Sequence, residues 1–141
     1  MEKFKLFKEK FKVEQFLIHE SKYWTWSLRP QQPTLGSGIL ALRRYAEAFS
    51  EITVDEGSDL SGIIKVIEEQ LKTEFSYEKI NYLMLMMVDP HLHFHIIPRY
   101  SQEKEFAGIK WVDKGWPGPP SLEADIIEDQ TLIKLQQALK K

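Results

Sequence analysis

The sequence predicts a mixed fold of helices and strands, and three patterns support that prediction. Histidines alternate with large apolar residues over 91–97, which is the periodicity of a half-buried strand. Aromatic residues that favour strands are concentrated over 23–28. After Thr53 and Glu56, a pair with capping-box spacing, apolar residues recur at the helical period and predict a long helix with one buried stripe. The stripe comprises Leu60, Ile63, Ile64, Ile67, Leu71 and Phe75.

Shorter patterns along the chain predict the remaining elements. Leu132, Leu135 and Leu139 lie at helical spacing and outline a last helix, which ends in two lysines whose charge suits a helix C-terminus. Apolar and β-branched runs bounded by turn residues indicate further strands. These strands are expected at 14–19, 39–42, 79–88 and 106–112, with a short helix at 44–52.

The composition predicts one globular domain over 1–141, with a basic N-terminal segment at 1–12 and a C-terminal extension at 101–141 that contains a helix. Hydrophobic residues make up 43% of the chain and charged residues 28%, a balance that allows a substantial core. The lack of cysteine argues against a disulfide scaffold, and no apolar run approaches the ~20 residues of a membrane span. We expect a cytoplasmic protein with no stable membrane insertion and no nucleic-acid partner.

The N-terminal segment has the pattern of a basic amphipathic helix. Phe4, Phe7 and Phe11 lie at helical spacing among five lysines. Such a helix can lie on an anionic membrane surface or dock on its own domain. Docking is the preferred interpretation.

The histidine row allows three interpretations, of which the simplest is a strand with a histidine-rich solvent face. A second is metal binding, because neutral imidazole is a good ligand for zinc, copper or nickel. Side chains two apart on a strand are separated by about 6.5–7 Å, however, and the chain has no cysteine and no second histidine cluster to complete a site. A third is catalysis, because a neutral imidazole can attack phosphorus when a hydrogen bond fixes its tautomer.

The histidine row also resembles a known family. Residues 91–97 match the pattern His-φ-His-φ-His-φ-φ, the signature of the histidine triad (HIT) superfamily of nucleotide hydrolases and transferases. Residues 36–45 partly resemble the Gly-His-x-Leu-Val-x-Pro-x-x-His segment of that family. Here Ser37, Leu42 and Tyr45 replace the usual histidine, proline and second histidine.

The resemblance implies an α+β fold with an antiparallel sheet of about five strands and packed helices, usually paired as a homodimer with a continuous sheet. It implies that His93 attacks the α-phosphorus of a nucleoside phosphoramidate or dinucleoside polyphosphate and forms a nucleotidyl-histidine intermediate. His91 would orient His93 through its backbone carbonyl, and His95 would contact the phosphate or assist the leaving group. No metal or other cofactor is required.

Candidate nucleotide-binding residues come from the resemblance and from charge. The resemblance places Asn81 at the sugar or phosphate site and Tyr45 near the phosphate, although a buried structural role for Asn81 is an equal alternative. Because the net charge is −2, the site needs local positive potential, for which Arg43, Arg44 and Arg99 are the best candidates.

Two tryptophans of the C-terminal extension, Trp111 and Trp116, are candidates for base stacking, although packing within the domain is the preferred interpretation of each.

The segment before the histidines departs from the family. Met86, Met87 and Val88 stand where the family usually has polar residues that contact phosphate oxygens. Losing one such hydrogen-bond donor can raise a reaction barrier by about 3–4 kcal/mol. A nucleotide-binding module with weak or lost catalysis, and less favourably a metal-binding protein, therefore remain as alternatives.

Overall fold

The computed structural model describes residues 1–140 and has an α+β architecture. The helices are α1 (Glu2–Lys10), α2 (Val54–Phe75) and α3 (Asp129–Leu139). The strands are β1 (Leu17–Glu20), β2 (Trp24–Leu28), β3 (Gly38–Leu42), β4 (Lys79–Leu83), β5 (His93–Arg99), β6 (Lys104–Phe106) and β7 (Ile109–Trp111).

Five strands form one antiparallel sheet in the order β1-β2-β3-β5-β4, while β6 and β7 form a separate hairpin. The expected five-stranded antiparallel sheet is therefore confirmed. In its register, Ala41 lies opposite His93, and Ile39 lies opposite His95. The histidine strand β5 is thus internal to the sheet, with β3 on one side and β4 on the other.

The two faces of the sheet are covered by different elements. One face packs against α2 and α3, and Trp24, Trp26 and Leu40 are fully buried in this main core. The opposite face carries His93 and His95, because successive side chains of a strand point to opposite sides. The N-terminal part of the chain covers that second face.

The N-terminal helix docks on the sheet, as the sequence favoured. Phe7 and Phe11 are buried and form a small apolar cluster with Val13, Ile39 and Ala41. The lysines of α1 lie outside this contact, so the amphipathic pattern is satisfied within the domain.

Helix α2 begins and packs as its sequence predicts. The Thr53 hydroxyl accepts a hydrogen bond from the Glu56 backbone N–H, and the Glu56 carboxylate accepts one from the Thr53 N–H, which completes the capping box. The residues of its stripe that are fully buried are Ile63, Ile67, Leu71 and Phe75.

Several predicted boundaries are wrong. Residues 44–52 contain only a 3₁₀ turn at Phe49–Glu51, because Ala48 and Ile52 on either side of it have extended backbone conformations. The strand predicted at 79–88 ends at Leu83, and Met86 has a left-handed φ of 50° that no strand continues through. The strand predicted at 106–112 is instead a hairpin, β6 and β7. Within residues 1–140, no helix is long and apolar enough to cross a membrane.

The buried stripe of α2 gives a stability prediction. Ile67→Ala removes a side chain that is fully buried in the main core, so we expect it to lower the free energy of unfolding by about 2–5 kcal/mol. Val54→Ala, at an exposed position of the same helix, should change it by less than about 0.5 kcal/mol. Urea denaturation followed by circular dichroism measures both, and equal effects would contradict this account of the core.

Candidate active site

His91 lies just before β5 rather than within it, which corrects the prediction that all three histidines share one strand. It is fully buried, and its Nε2 lies 2.8 Å from the Leu42 carbonyl oxygen. The Ala46 backbone N–H donates to its Nδ1 at 3.4 Å. Because a carbonyl can only accept and an N–H can only donate, the ring is neutral with its proton on Nε2. Burial lowers the pKa of His91 to about 4.

His93 is oriented by the backbone of His91. Its Nδ1 lies 2.5 Å from the His91 carbonyl oxygen, so Nδ1 carries the proton and donates it to that oxygen. The lone pair of Nε2 is then left available for chemistry. The ring is 1% exposed, and this burial is the main cause that lowers its pKa from the ordinary value of 6.5.

His95 has a buried ring nitrogen without a hydrogen-bond partner. Its ring centroid lies 4.9 Å from that of His93 in an edge-to-face arrangement. No group among residues 1–140 forms a hydrogen bond with its buried Nδ1. Burial, followed by the neighbouring His93, lowers the pKa of His95 to about 4.

Aromatic rings from α1 provide much of this apolar environment. The Phe7 centroid lies 4.9 Å from the ring centroids of both His91 and His93. Phe11 lies 5.9 Å from His93 and 6.0 Å from His95, again between centroids. All three imidazoles are therefore held neutral by side chains that the sequence places about 80 residues away.

A cleft of about 270 Å³ opens beside His93 and His95. Lys10 and Asp89 lie at its border and form an ion pair at 2.8 Å. Arg29 also borders the cleft, and the sequence analysis missed it as a site residue. The remaining lining residues are Phe11, Gln31, Leu85, Met86, Met87 and Val88.

The position of Arg29 was indicated by a signal that was not used. Arg29 follows Thr25 and Ser27 at alternate positions, so the strand periodicity of β2 continues to it. Arg29 lies just beyond the strand pattern of 23–28, and Pro30, a residue typical of loops, follows it.

The arginines that were predicted to bind nucleotide all have carboxylate partners. Arg43 pairs with Glu20 at 2.6 Å and Arg44 pairs with Glu56 at 2.7 Å, and neither arginine borders the cleft with the histidines. Their role in nucleotide binding stays a prediction that this geometry does not support.

Arg99 and Asn81 lie together at the other end of β5. Arg99 forms a buried ion pair with Asp113 at 2.7 Å and donates to the Asn81 side-chain oxygen at 2.8 Å. Both residues border a separate groove of about 740 Å³, which Trp116 also lines. Asn81 thus has the structural hydrogen bond that was considered as its alternative role. Trp111 is buried and donates to the Gln32 carbonyl at 3.0 Å, which matches the packing interpretation.

Tyr45 contacts the site through His91. The two rings are nearly parallel, with centroids 5.3 Å apart, and the Tyr45 hydroxyl hydrogen-bonds to Glu47. Burial, followed by the Glu47 hydrogen bond, raises the pKa of Tyr45 to about 12, so the residue is neutral. Tyr45 therefore packs against His91 as a neutral aromatic ring.

The residues before the triad are mostly apolar and exposed. Met87 is 82% and Val88 85% exposed, and both border the cleft. Their side chains provide no hydrogen-bond donor there. Among residues 1–140, no three histidine, cysteine, aspartate or glutamate side chains are grouped to hold a metal ion.

Comparisons with known proteins agree with this geometry. The HIT domain family model matches residues 13–102. A bis(5'-adenosyl)-triphosphatase of Saccharomyces cerevisiae is 31% identical over 98 residues, which make up 64% of this chain and 47% of that protein. The chain belongs to the histidine triad family. It spans about half the length of the curated relatives it matches.

Solved structures share the fold. A histidine triad protein from Sinorhizobium meliloti 1021 superposes with a TM-score of 0.71 at 20% identity, covering 91% of this chain and 90% of that one. A histidine triad protein from Marinobacter aquaeolei VT8 gives a TM-score of 0.69 at 19% identity, covering 92% and 90%.

The buried imidazoles predict how stability depends on pH. His91 and His95 have folded-state pKa values of about 4, whereas imidazole in the unfolded chain titrates near 6.5. Between these values the unfolded chain binds more protons, so the free energy of unfolding should fall as the pH falls. Each pKa unit corresponds to about 1.4 kcal/mol. Urea denaturation between about pH 7.5 and 4.5 measures this slope.

Glu56 provides the control for this pH interval. The Arg44 hydrogen bond lowers the pKa of Glu56 to about 2 from 4.5, so Glu56 loses its stabilising effect only at lower pH. A free energy of unfolding that stays level or rises between about pH 6.5 and 4.5 would contradict the assignment of neutral, buried histidines.

Proposed function

We propose that this protein is a nucleotide hydrolase or transferase that acts on the α-phosphorus of its substrate through a nucleotidyl-histidine intermediate on His93. The observation that carries the proposal is the 2.5 Å hydrogen bond from His93 Nδ1 to the His91 carbonyl. It directs the lone pair of Nε2 towards the side of the ring that is free to react.

The reaction takes place in two displacements. In the first, His93 Nε2 attacks phosphorus, a P–N bond forms, and the bond from phosphorus to the leaving group breaks as that group takes a proton from solvent. In the second, water attacks the same phosphorus and releases a proton to solvent, the P–N bond breaks, and nucleoside monophosphate leaves with His93 restored. His95, beside His93, contacts the phosphate or assists the leaving group.

The low pKa of His93 suits the first displacement. Protonation would occupy Nε2 and abolish the nucleophile, and burial lowers the pKa of His93, which favours the neutral ring. The surrounding apolar rings also strengthen every electrostatic contact that the phosphate makes in the cleft.

Two substrate classes fit this chemistry: dinucleoside polyphosphates and nucleoside phosphoramidates. The yeast relative named bis(5'-adenosyl)-triphosphatase supports the first class. A second candidate function is a nucleotide-binding module with weak catalysis, because Met87 and Val88 border the cleft without offering hydrogen-bond donors.

We also propose that two copies pair through β4. The outer edge of β1 is blocked where the Gln136 amide donates to the Leu17 carbonyl at 2.7 Å. Strand β4 is the other edge of the sheet, and edge strands readily pair with another chain. Sedimentation equilibrium, which should give twice the 16.6 kDa chain mass, tests the pairing.

A cytoplasmic location is part of the proposal and is tested by cell fractionation.

The central prediction concerns His93. His93→Ala should lower turnover by a factor on the order of 10⁴ or more, because it removes the nucleophile. His19→Ala is the matched control, because His19 is an exposed residue of β1 outside the triad. This variant should retain activity. Release of nucleoside monophosphate from diadenosine polyphosphates and adenosine 5'-phosphoramidate, followed by chromatography, measures both. Turnover that survives His93→Ala, or no turnover by the unaltered protein, would overturn the proposal.

A further inference from the structure

We infer that Arg29 binds a phosphate beyond the one attacked by His93, and that it thereby selects dinucleoside polyphosphates over phosphoramidates. The inference rests on the proposed function and decides between its two substrate classes.

The sheet register puts Arg29 on the histidine face. Ser27 lies opposite Ile39, which in turn lies opposite His95, so these three side chains share one face. Arg29 is two residues beyond Ser27, and its N–H continues the ladder by donating to the Ser37 carbonyl at 3.0 Å. Its side chain therefore projects from the same face and borders the same cleft as His93 and His95.

The Arg29 side chain lacks a counterion within the described chain. It is 8% exposed, and no carboxylate among residues 1–140 lies within ion-pair distance of it. Its Nη1 donates to the Gln31 and Leu122 carbonyls at 3.2 and 3.4 Å. Its buried Nε has no hydrogen-bond partner among residues 1–140. Arginine stays charged in proteins, so this charge is buried without compensation.

Unpaired polar atoms are concentrated on this face. Four buried side-chain atoms lack a hydrogen-bond partner within residues 1–140. Three of them, Ser27 Oγ, Arg29 Nε and His95 Nδ1, belong to the histidine face, and Arg29 and His95 border the cleft. Buried polar atoms are ordinarily satisfied, so this cluster indicates a polar ligand. A phosphate supplies both the negative charge and the acceptor oxygens that a guanidinium binds best.

The neighbouring loop holds the Arg29 backbone in place. The Gln32 amide nitrogen donates to the Arg29 carbonyl at 2.7 Å and to the Ser37 carbonyl at 2.5 Å. Its amide oxygen accepts from the Gly36 N–H at 3.0 Å. Gln32 is itself buried, so Arg29 is fixed before the ligand binds, which reduces the entropy lost on binding.

The charge of Arg29 distinguishes the two substrate classes. A phosphoramidate has one phosphorus and releases ammonia or an amine, which carries no negative charge, so it offers nothing anionic beyond the group that His93 attacks. A dinucleoside polyphosphate releases a nucleotide whose phosphates are negative. The other charges at the cleft, Lys10 and Asp89, form an ion pair with each other. Burial is the main cause that lowers the pKa of His93 and His95, and the Arg29 charge is a smaller cause of the same sign for both. Its positive potential therefore reaches the reacting region.

The test compares kcat/KM for diadenosine triphosphate and adenosine 5'-phosphoramidate. Arg29→Gln should lower kcat/KM for the triphosphate by about 30-fold or more and for the phosphoramidate by less than about 3-fold. Arg29→Lys, which keeps the positive charge, should restore part of the lost kcat/KM for the triphosphate. If Arg29→Gln does not fold, Arg29→Lys is measured in its place. Lys110→Ala removes an exposed surface cation outside the cleft and should change neither value.

Equal losses on both substrates, or no loss on either, would overturn the inference.

A separate binding measurement distinguishes this result from a failure of the proposed function. In the His93→Ala background, calorimetry should show ADP binding more tightly than AMP, and Arg29→Gln should abolish the difference. An unaltered protein without turnover would reject the hydrolase, and equal affinities for ADP and AMP would then reject the role of Arg29 as well.

Discussion

The hydrogen bond from His93 to the His91 carbonyl is the interaction on which the site depends. It fixes the tautomer of His93, and it requires the chain at His91 to be held in one place. That requirement is met by the buried His91 ring, which bonds to the Leu42 carbonyl and the Ala46 N–H. The end of β3 and the following loop therefore determine which nitrogen of His93 can react.

The side chains that bury the three histidines lower the stability of the domain at low pH and also keep the imidazoles neutral. Phe7 and Phe11 exclude water from imidazoles that would otherwise titrate near neutral pH. The domain loses stability as the pH falls, because the unfolded chain accepts protons that the folded chain does not. In return, His93, the proposed nucleophile, stays neutral, and an anionic group in the cleft would meet a medium of low polarity.

Local patterns predicted most of the fold, and contacts distant in sequence account for what they missed. Periodicity was enough for α2, for the docked N-terminal helix and for the histidine strand, because each depends on residues a few positions apart. It could not show that Arg44 and Arg99 are paired with Glu56 and Asp113, since these pairs form only when the sheet and loops assemble. The strand periodicity did continue to Arg29, but only the assembled fold shows that no carboxylate within residues 1–140 pairs with its buried side chain.

Docking of α1 has a consequence for the linkage between protons and structure. The helix has nine residues, and helices this short are unstable alone in water, so it persists through its contacts with the sheet. Those contacts include the histidine rings, and a charged ring would have to be hydrated. Protonation of the three histidines and docking of α1 on the sheet therefore oppose each other. Undocking of α1 favours protonation, and protonation favours undocking.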